Sequence, residues 1–134
     1  MTETAATLAD AFARRMAERD NPPPPPPLSQ EPAAVQARIE DWLLATYKVR
    51  DPRGRHRLAR MVLALMRQPE RTTGELATAA GLRERGAARM AVRLGALDIA
   101  TWEYRGLYRY WRLTPAAEDA LLLVVVGPPA APAQ

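Results

Sequence analysis

The chain has 134 residues, no cysteine and one histidine, which excludes a disulfide scaffold, a thiolate zinc site and a cysteine nucleophile. Residues 1–20 carry no apolar run, and the longest such run, Ala120 to Val126, is far short of the roughly 20 residues that span a bilayer; a cytoplasmic protein without a signal peptide is the expectation. The net charge of +4 is segregated, with five basic and seven acidic groups in residues 1–49, fourteen and six in 50–114, and only two acids in 115–134. A GC-rich coding bias would explain why every base in the middle segment is arginine, but not the segregation, which suits a polyanionic partner.

Thr4 to Arg19 reads as a helix, with Ala5, Leu8, Ala9, Phe12, Ala13 and Met16 on one stripe. Asn21 and the six prolines 22–27 end it. Those prolines favour polyproline II at about 3.1 Å per residue, a stiff spacer of roughly 19 Å; docking on a proline-reading domain is the rarer use. Ser29 is placed as N-cap of a second helix, with Pro32 in its first turn. Val35, Ile39, Trp42, Leu43, Thr46 and Tyr47 recur at helical spacing until Asp51-Pro52 and Gly54 stop the helix near Val49. A third helix is expected from Arg55 to Arg67, burying Leu58, Met61, Val62 and Leu65. Thr72 and Glu75 form a capping box that opens a short helix, Thr73 to Ala80, and Gly81 ends it in the left-handed conformation. A fifth helix, Arg83 to Leu94, stops at Gly95.

Ile99 to Glu103 and Leu107 to Leu113 read as strands joined by a three-residue loop, Tyr104 to Gly106. That register puts Ile99, Thr101, Trp111 and Leu113 on one face, and Trp102, Tyr108 and Tyr110 on the other. A two-residue loop pairing Ile99 with Arg112 would split the apolar set and is rejected. Thr114 caps a last helix with Pro115 at its first position. It runs to about Val126, and Gly127-Pro128 begins a disordered tail.

Helix, short helix, turn, helix, β-hairpin, helix is the order of the winged helix-turn-helix, and the local sequence resembles the MarR- and PadR-type bacterial regulators. Three stretches carry the resemblance: Thr72-Thr73-Gly74-Glu75-Leu76-Ala77, Gly81-Leu82 at the turn, and Arg112-Leu113-Thr114-Pro115 leaving the wing. It covers residues 55–126, not the first two helices or the proline run. The last helix is short for a MarR-type dimerisation stalk. Gly86, inside the recognition helix, costs about 1 kcal/mol relative to alanine and allows either a close helix crossing or a close approach to DNA. Ala96-Leu97-Asp98-Ile99 lacks the glycine usual before the first wing strand, so Asp98 must take that turn. The implied fold is mainly α with a small β-hairpin: a winged helix-turn-helix with two extra N-terminal helices and a C-terminal helix. The domain reading is an N-terminal helix (1–20), a proline-rich spacer (21–30), a winged helix domain (31–126) and a tail (127–134). Within that domain the core is 55–114 and the C-terminal dimerisation helix 115–126.

The fifth helix carries the physical case for function. Ala87, Met90, Ala91 and Leu94 fall on a core face, and Arg85, Arg89 and Arg93 on another, with Arg83 and Glu84 at the leading turn. A helix fits the major groove of B-DNA, and its first turns reach the bases. Base reading therefore falls to Arg83, Glu84, Arg85, Ala88 and Arg89, and Arg93 suits a phosphate. Thr72 and Thr73 begin a helix whose free amides also favour phosphate. The resemblance implies that Arg105 and Arg109 on the wing reach the adjacent minor groove or backbone. A solvated arginine face would need acid partners, and only Glu84 is near. Arg53, Arg55, His56 and Arg57 cluster around Gly54, where phosphate contact and solvated loop charge are equally open; His56 alone makes no metal site.

Trp42 and Tyr47 suit the core. Trp102, Tyr108 and Tyr110 could form a ligand pocket or stack on nucleotides, but more commonly such residues pack on the N-terminal helices or a second subunit. Leu121 to Val126 is apolar on every side and must be covered. That points to a homodimer, with the first two helices as candidates for the same interface. An enzyme is not expected. There is no Ser–His–Asp set, no Gly-rich phosphate loop, and the adjacent pairs Glu40-Asp41 and Glu118-Asp119 point to different sides of a helix. No cofactor or metal is implied, and no residue set marks a small-molecule effector. The leading expectation is a dimeric transcription regulator binding double-stranded DNA sequence-specifically. A protein–protein interaction module in a larger complex is the alternative that the spacer and N-terminal helix favour; non-specific, nucleoid-type DNA binding is the third.

Overall fold

The computed structural model describes residues 3–22 and 26–127. Residues 23–25 of the expected polyproline spacer and 128–134 of the expected tail lie outside the described residues. The elements are α1 (Glu3–Asp20), α2 (Pro32–Tyr47), α3 (Pro52–Arg67), β1 (Arg71–Thr72), α4 (Thr73–Ala80), α5 (Glu84–Ala96), β2 (Ala100–Arg105), β3 (Tyr108–Leu113) and α6 (Pro115–Val126). They fall into two units. The first contains α1, an amphipathic helix whose Leu8 and Phe12 are exposed. The second, Leu28–Pro128, holds everything else.

Two helix starts differ from the sequence expectation, and proline explains both. A residue before proline is pushed out of the helical region, so α2 cannot begin before Pro32. Glu31, not Ser29, occupies the N-cap, with ψ 136° and no side-chain cap bond; the Ser29 hydroxyl accepts from the Glu31 amide at 3.2 Å instead. Likewise Asp51-Pro52, read as the stop of the second helix, starts the third. Asp51 is extended, and its carboxylate accepts from the Gly54 amide at 3.0 Å. Lys48 closes α2 in the left-handed conformation, φ 59°.

The capping box of α4 is present in both halves, and Gly81 ends the helix at φ 67°. Helix α5 starts at Glu84, with Arg83 at the N-cap, and continues through Gly95 to Ala96. Asp98 then takes the tight turn at φ 59°. Gly95 lies inside the helix and does not end it, and a Cβ there would meet the Ala100 carbonyl at 3.8 Å and the Trp111 ring at 3.9 Å, ordinary contact distances.

The wing register is corrected. Ala100 pairs with Leu113, Trp102 with Trp111 and Arg105 with Tyr108, so the loop is two residues, Gly106-Leu107. Gly106, at φ 63°, supplies the positive φ that two-residue hairpins need at their first position. Trp102 therefore shares a face with Trp111, while Tyr108 and Tyr110 lie on the other. The apolar set stays together because Ala100 faces Leu113. A third strand was not expected. β1 pairs with β3, Arg71 with Trp111 and Thr72 with Tyr110, giving an antiparallel sheet of order β1-β3-β2.

The core is built around α3. Leu58, Met61 and Val62 are fully buried, with Ile39 and Leu43 from α2, Leu76 from α4, and Ala87, Ala91 and Leu94 from α5. Ile99, Trp111 and Leu121 complete it. Arg38 fastens α2 to the end of α6. Its guanidinium donates to the carbonyls of Val124 and Val125, both at 3.1 Å, and of Ser29 at 2.7 Å. The last carbonyls of a helix have no partner within it, and here the guanidinium of the half-buried Arg38 supplies one. Tyr47 and Trp42 pack edge to face at 5.1 Å against this core.

Candidate nucleic-acid interface

Helix α5 is seated by its small apolar face: Ala87, Ala91 and Leu94 have no exposed surface, and Met90 is half-buried. Alanine at two of these positions lets the helix lie close to the core, which fixes its opposite face. On that face Arg83, Glu84, Arg85 and Arg89 are exposed and Ala88 is half-buried. Among the described residues, Arg83, Arg85 and Arg89 have no ion pair. Gly86 has open space where a Cβ would project, so within its own unit no described helix crosses closely there.

Arg93 is turned away from that row. It is half-buried, and its Nη1 lies 3.0 Å from where a Cβ on Gly54 would stand, over the first turn of α3. At the start of α4, Thr72 and Glu75 satisfy each other: the Thr72 amide donates to the carboxylate at 3.0 Å, and the Glu75 amide to the hydroxyl at 3.2 Å. These bonds hold the Glu75 carboxyl below the usual carboxylate range. The Thr73 hydroxyl accepts from the Trp111 indole at 2.9 Å, tying α4 to the wing. Open space beside Gly74 leaves this end of α4 accessible.

The two wing arginines have local partners. Arg105 pairs with Glu70 at 2.5 Å and Glu103 at 2.8 Å, and its guanidinium lies 4.7 Å from the Tyr110 ring centre. Those bonds lower the Glu70 pKa and raise that of Arg105. Arg109 lies over the Trp102 ring at 4.2 Å and donates to the Tyr104 hydroxyl at 3.3 Å. The structure thus brings the α4 start, α5 and the wing onto one framework, with free arginines on α5 and clamped ones on the wing.

His56 finds its partners on α2, which brings Glu40 to 3.4 Å and Gln36 to 2.9 Å of its Nδ1. The depression that Glu40 and His56 line has no serine or threonine among its described lining residues. No group of three or more histidine, aspartate or glutamate side chains converges among the described residues. No helix there is long and apolar enough to cross a membrane. Sequence reasoning missed Glu70, β1 and Arg38. Glu70 lies 35 residues from Arg105, and no local pattern links them.

No family model and no curated protein matches the sequence. Solved structures do. A MarR family transcriptional regulator from Silicibacter pomeroyi DSS is similar at TM-score 0.52 and 18% identity, over 76% of this chain and 75% of that one. A MarR family protein from Bacillus stearothermophilus is similar at TM-score 0.51 and 16% identity, over 93% and 74%. An archaeal chromatin protein is matched at 18% identity and TM-score 0.49; this chain spans 32% of it. The MarR likenesses support the fold alone: a winged helix-turn-helix resembling theirs, mainly helical with a small sheet.

Proposed function

We propose that the protein binds double-stranded DNA sequence-specifically, as a dimeric transcriptional regulator, with α5 in the major groove. The observation that carries this reading is the α5 surface. Three exposed arginines, without carboxylate partners among the described residues, project from a helix whose other side is locked into the core. Unpaired guanidinium groups on a rigid helix are pre-organised for bidentate contact with guanine or phosphate. Arg83, Glu84, Arg85, Ala88 and Arg89 are assigned to the groove. Thr72 and Thr73 are assigned to phosphate through the α4 start, and the wing arginines Arg105 and Arg109 to backbone or minor groove. Arg93 reaches a phosphate only near the first turn of α3. The similar protein from Silicibacter pomeroyi is a MarR family transcriptional regulator, which supports the same class.

The experiment is direct. Arg85→Ala/Arg89→Ala should weaken binding to a selected operator by at least tenfold. It should also reduce the salt slope of log K by about 1.8, roughly 0.9 per lost phosphate contact, or relax specificity if the contacts are to bases. Unchanged affinity and slope would sink the assignment. A second reading has one observation behind it: the wing tip exposes Leu107 at 92%, with Tyr104 and Tyr108 beside it, as a protein-binding module would. Flat, weak binding to random duplex across a salt series favours that reading.

A further inference from the structure

The arginines at the start of α3 are not used by the reading above. In sequence, Arg53, Arg55, His56 and Arg57 form one cluster around Gly54. The structure places them on a helix and divides them. Arg55 Nη1 donates to the carbonyls of Val49 at 3.1 Å and Arg50 at 3.3 Å, so its guanidinium is spent on the chain. His56 turns toward Gln36 and Glu40 on α2. Arg53 and Arg57 remain, both exposed. Together with Arg60, they stand at i, i+4 and i+7 and make one stripe along α3.

That stripe lines an open depression with Pro52 and His56 on one side, and Gly81 and Leu82 of the helix-turn-helix turn on the other. Arg60 crosses onto the turn: its Nη2 lies 2.5 Å from where a Cβ on Gly81 would stand. Glu40 is the one acid in the lining, and it faces His56. Arg53, Arg57 and Arg60 have no ion pair among the described residues. Arg83 follows directly after the turn, and Arg93 rests over Gly54. A basic surface therefore runs from the exposed face of α5, across the turn, to α3.

We infer that the Arg53–Arg57–Arg60 stripe is a second contact surface for the phosphodiester backbone of duplex DNA, flanking the groove that α5 enters. The inference rests on the DNA-binding reading and enlarges its footprint. Like charges one helical turn apart repel each other, and a phosphate track relieves that repulsion while offering each guanidinium two acceptors. The depression is open and its two outer arginines are exposed, a shape suited to a polyanion passing across it rather than to one enclosed small anion. Such contacts set register and affinity, not sequence.

The test uses the full chain, a selected operator duplex and a random duplex, each titrated across a salt series. Arg53→Ala/Arg57→Ala changes two exposed side chains and should leave the thermal melt in place. The expected result is a salt slope smaller by about 1.8 on both duplexes, an affinity loss on the order of tenfold, and an unchanged ratio between the two. Arg53→Lys/Arg57→Lys should restore the slope, because the charge returns. An unchanged slope in the alanine variant, with wild-type binding intact, overturns this inference and leaves the α5 assignment standing. Absence of duplex binding by the wild type overturns both. A changed ratio assigns base reading to α3 and overturns it as well. So does inorganic pyrophosphate perturbing the Arg57 side-chain resonance while the alanine variant keeps the wild-type slope, which marks a free-anion site. Phosphate-ethylation interference on the wild-type complex needs no variant. Interference at phosphates beyond the groove read by α5 supports the inference, and its absence there overturns it.

Discussion

Glu70 and Glu75 lie five residues apart in sequence and do related work: each holds one corner of the wing framework through a charge. Glu75 takes the Thr72 amide, and Glu70 takes the Arg105 guanidinium. Both carboxyls titrate below their ordinary value of 4.5. A depressed folded pKa means that the stabilisation is complete above the unfolded value and is lost as pH falls through the folded one. Stability should therefore decline as pH drops below about 4.5. Glu70→Gln and Glu75→Gln should each flatten that acid limb in thermal melts taken from neutral to acid pH. Gln can still accept from the Thr72 amide, since either residue completes a capping box, so Glu75→Gln should remain close to wild type at neutral pH. Thr72→Ala removes the other half of the box and should cost about 1 kcal/mol in a denaturant titration. An undiminished midpoint would show that the cap contributes nothing to the fold. Arg105 belongs to the same scale. With two carboxylates already on it, it reaches a phosphate only by leaving them, which separates it from the unpaired arginines of α5.

Helix α5 combines a strong seat with one weak position. Gly86 is in the helix interior, and nothing stands where its Cβ would go. Gly86→Ala should thus stabilise the fold by up to about 1 kcal/mol, a rise of roughly 4–8 °C in Tm for a domain of this size. No gain in the melt would contradict the open space. A fall in operator affinity beside the gain would assign the glycine to a close approach of DNA. The α4 and α6 caps and the arginine row of α5 were legible in sequence, because each is a local pattern of three to eight residues. The wing register was not. Trp102, Tyr104, Tyr108, Tyr110 and Trp111 put aromatic rings on both faces, so alternation does not choose between pairings; the positive φ of Gly106 at the first of two loop positions does. β1 was hidden by its length, since its two residues owe their strand geometry to β3. Glu70 and Tyr110, which meet Arg105, and Glu40 and Gln36, which meet His56, come from other elements, and Arg105 itself, expected in the loop, ends β2, so sequence did not say what holds these side chains.

At the scale of the whole molecule, the unsettled surface is α6. Leu121 is buried, while Leu122, Leu123 and Val126 are more than half exposed. Beside them Leu65, Met66, Pro69 and Leu113 line a groove, apolar but for Glu118, that Leu121 and Leu122 also border. An apolar helix face next to a largely apolar groove costs solubility in a monomer and suits a self-complementary interface. Arg38 holds the end of α6 against α2, so the face is presented on a fixed element rather than on a frayed terminus. Dimerisation through it would also give DNA recognition its second half, since a two-fold pair of α5 helices about 34 Å apart reads successive major grooves. Leu122→Glu/Leu123→Glu places charge on side chains already exposed in the single chain, where substitutions change folding stability little. Sedimentation should therefore show the variant as a folded monomer and the wild type as a dimer at the same concentration. Operator affinity should fall steeply in the variant, whereas affinity for a single half-site should hold. A wild type that sediments as a monomer would leave α6 without this role, and its DNA reading would then have to stand on one helix.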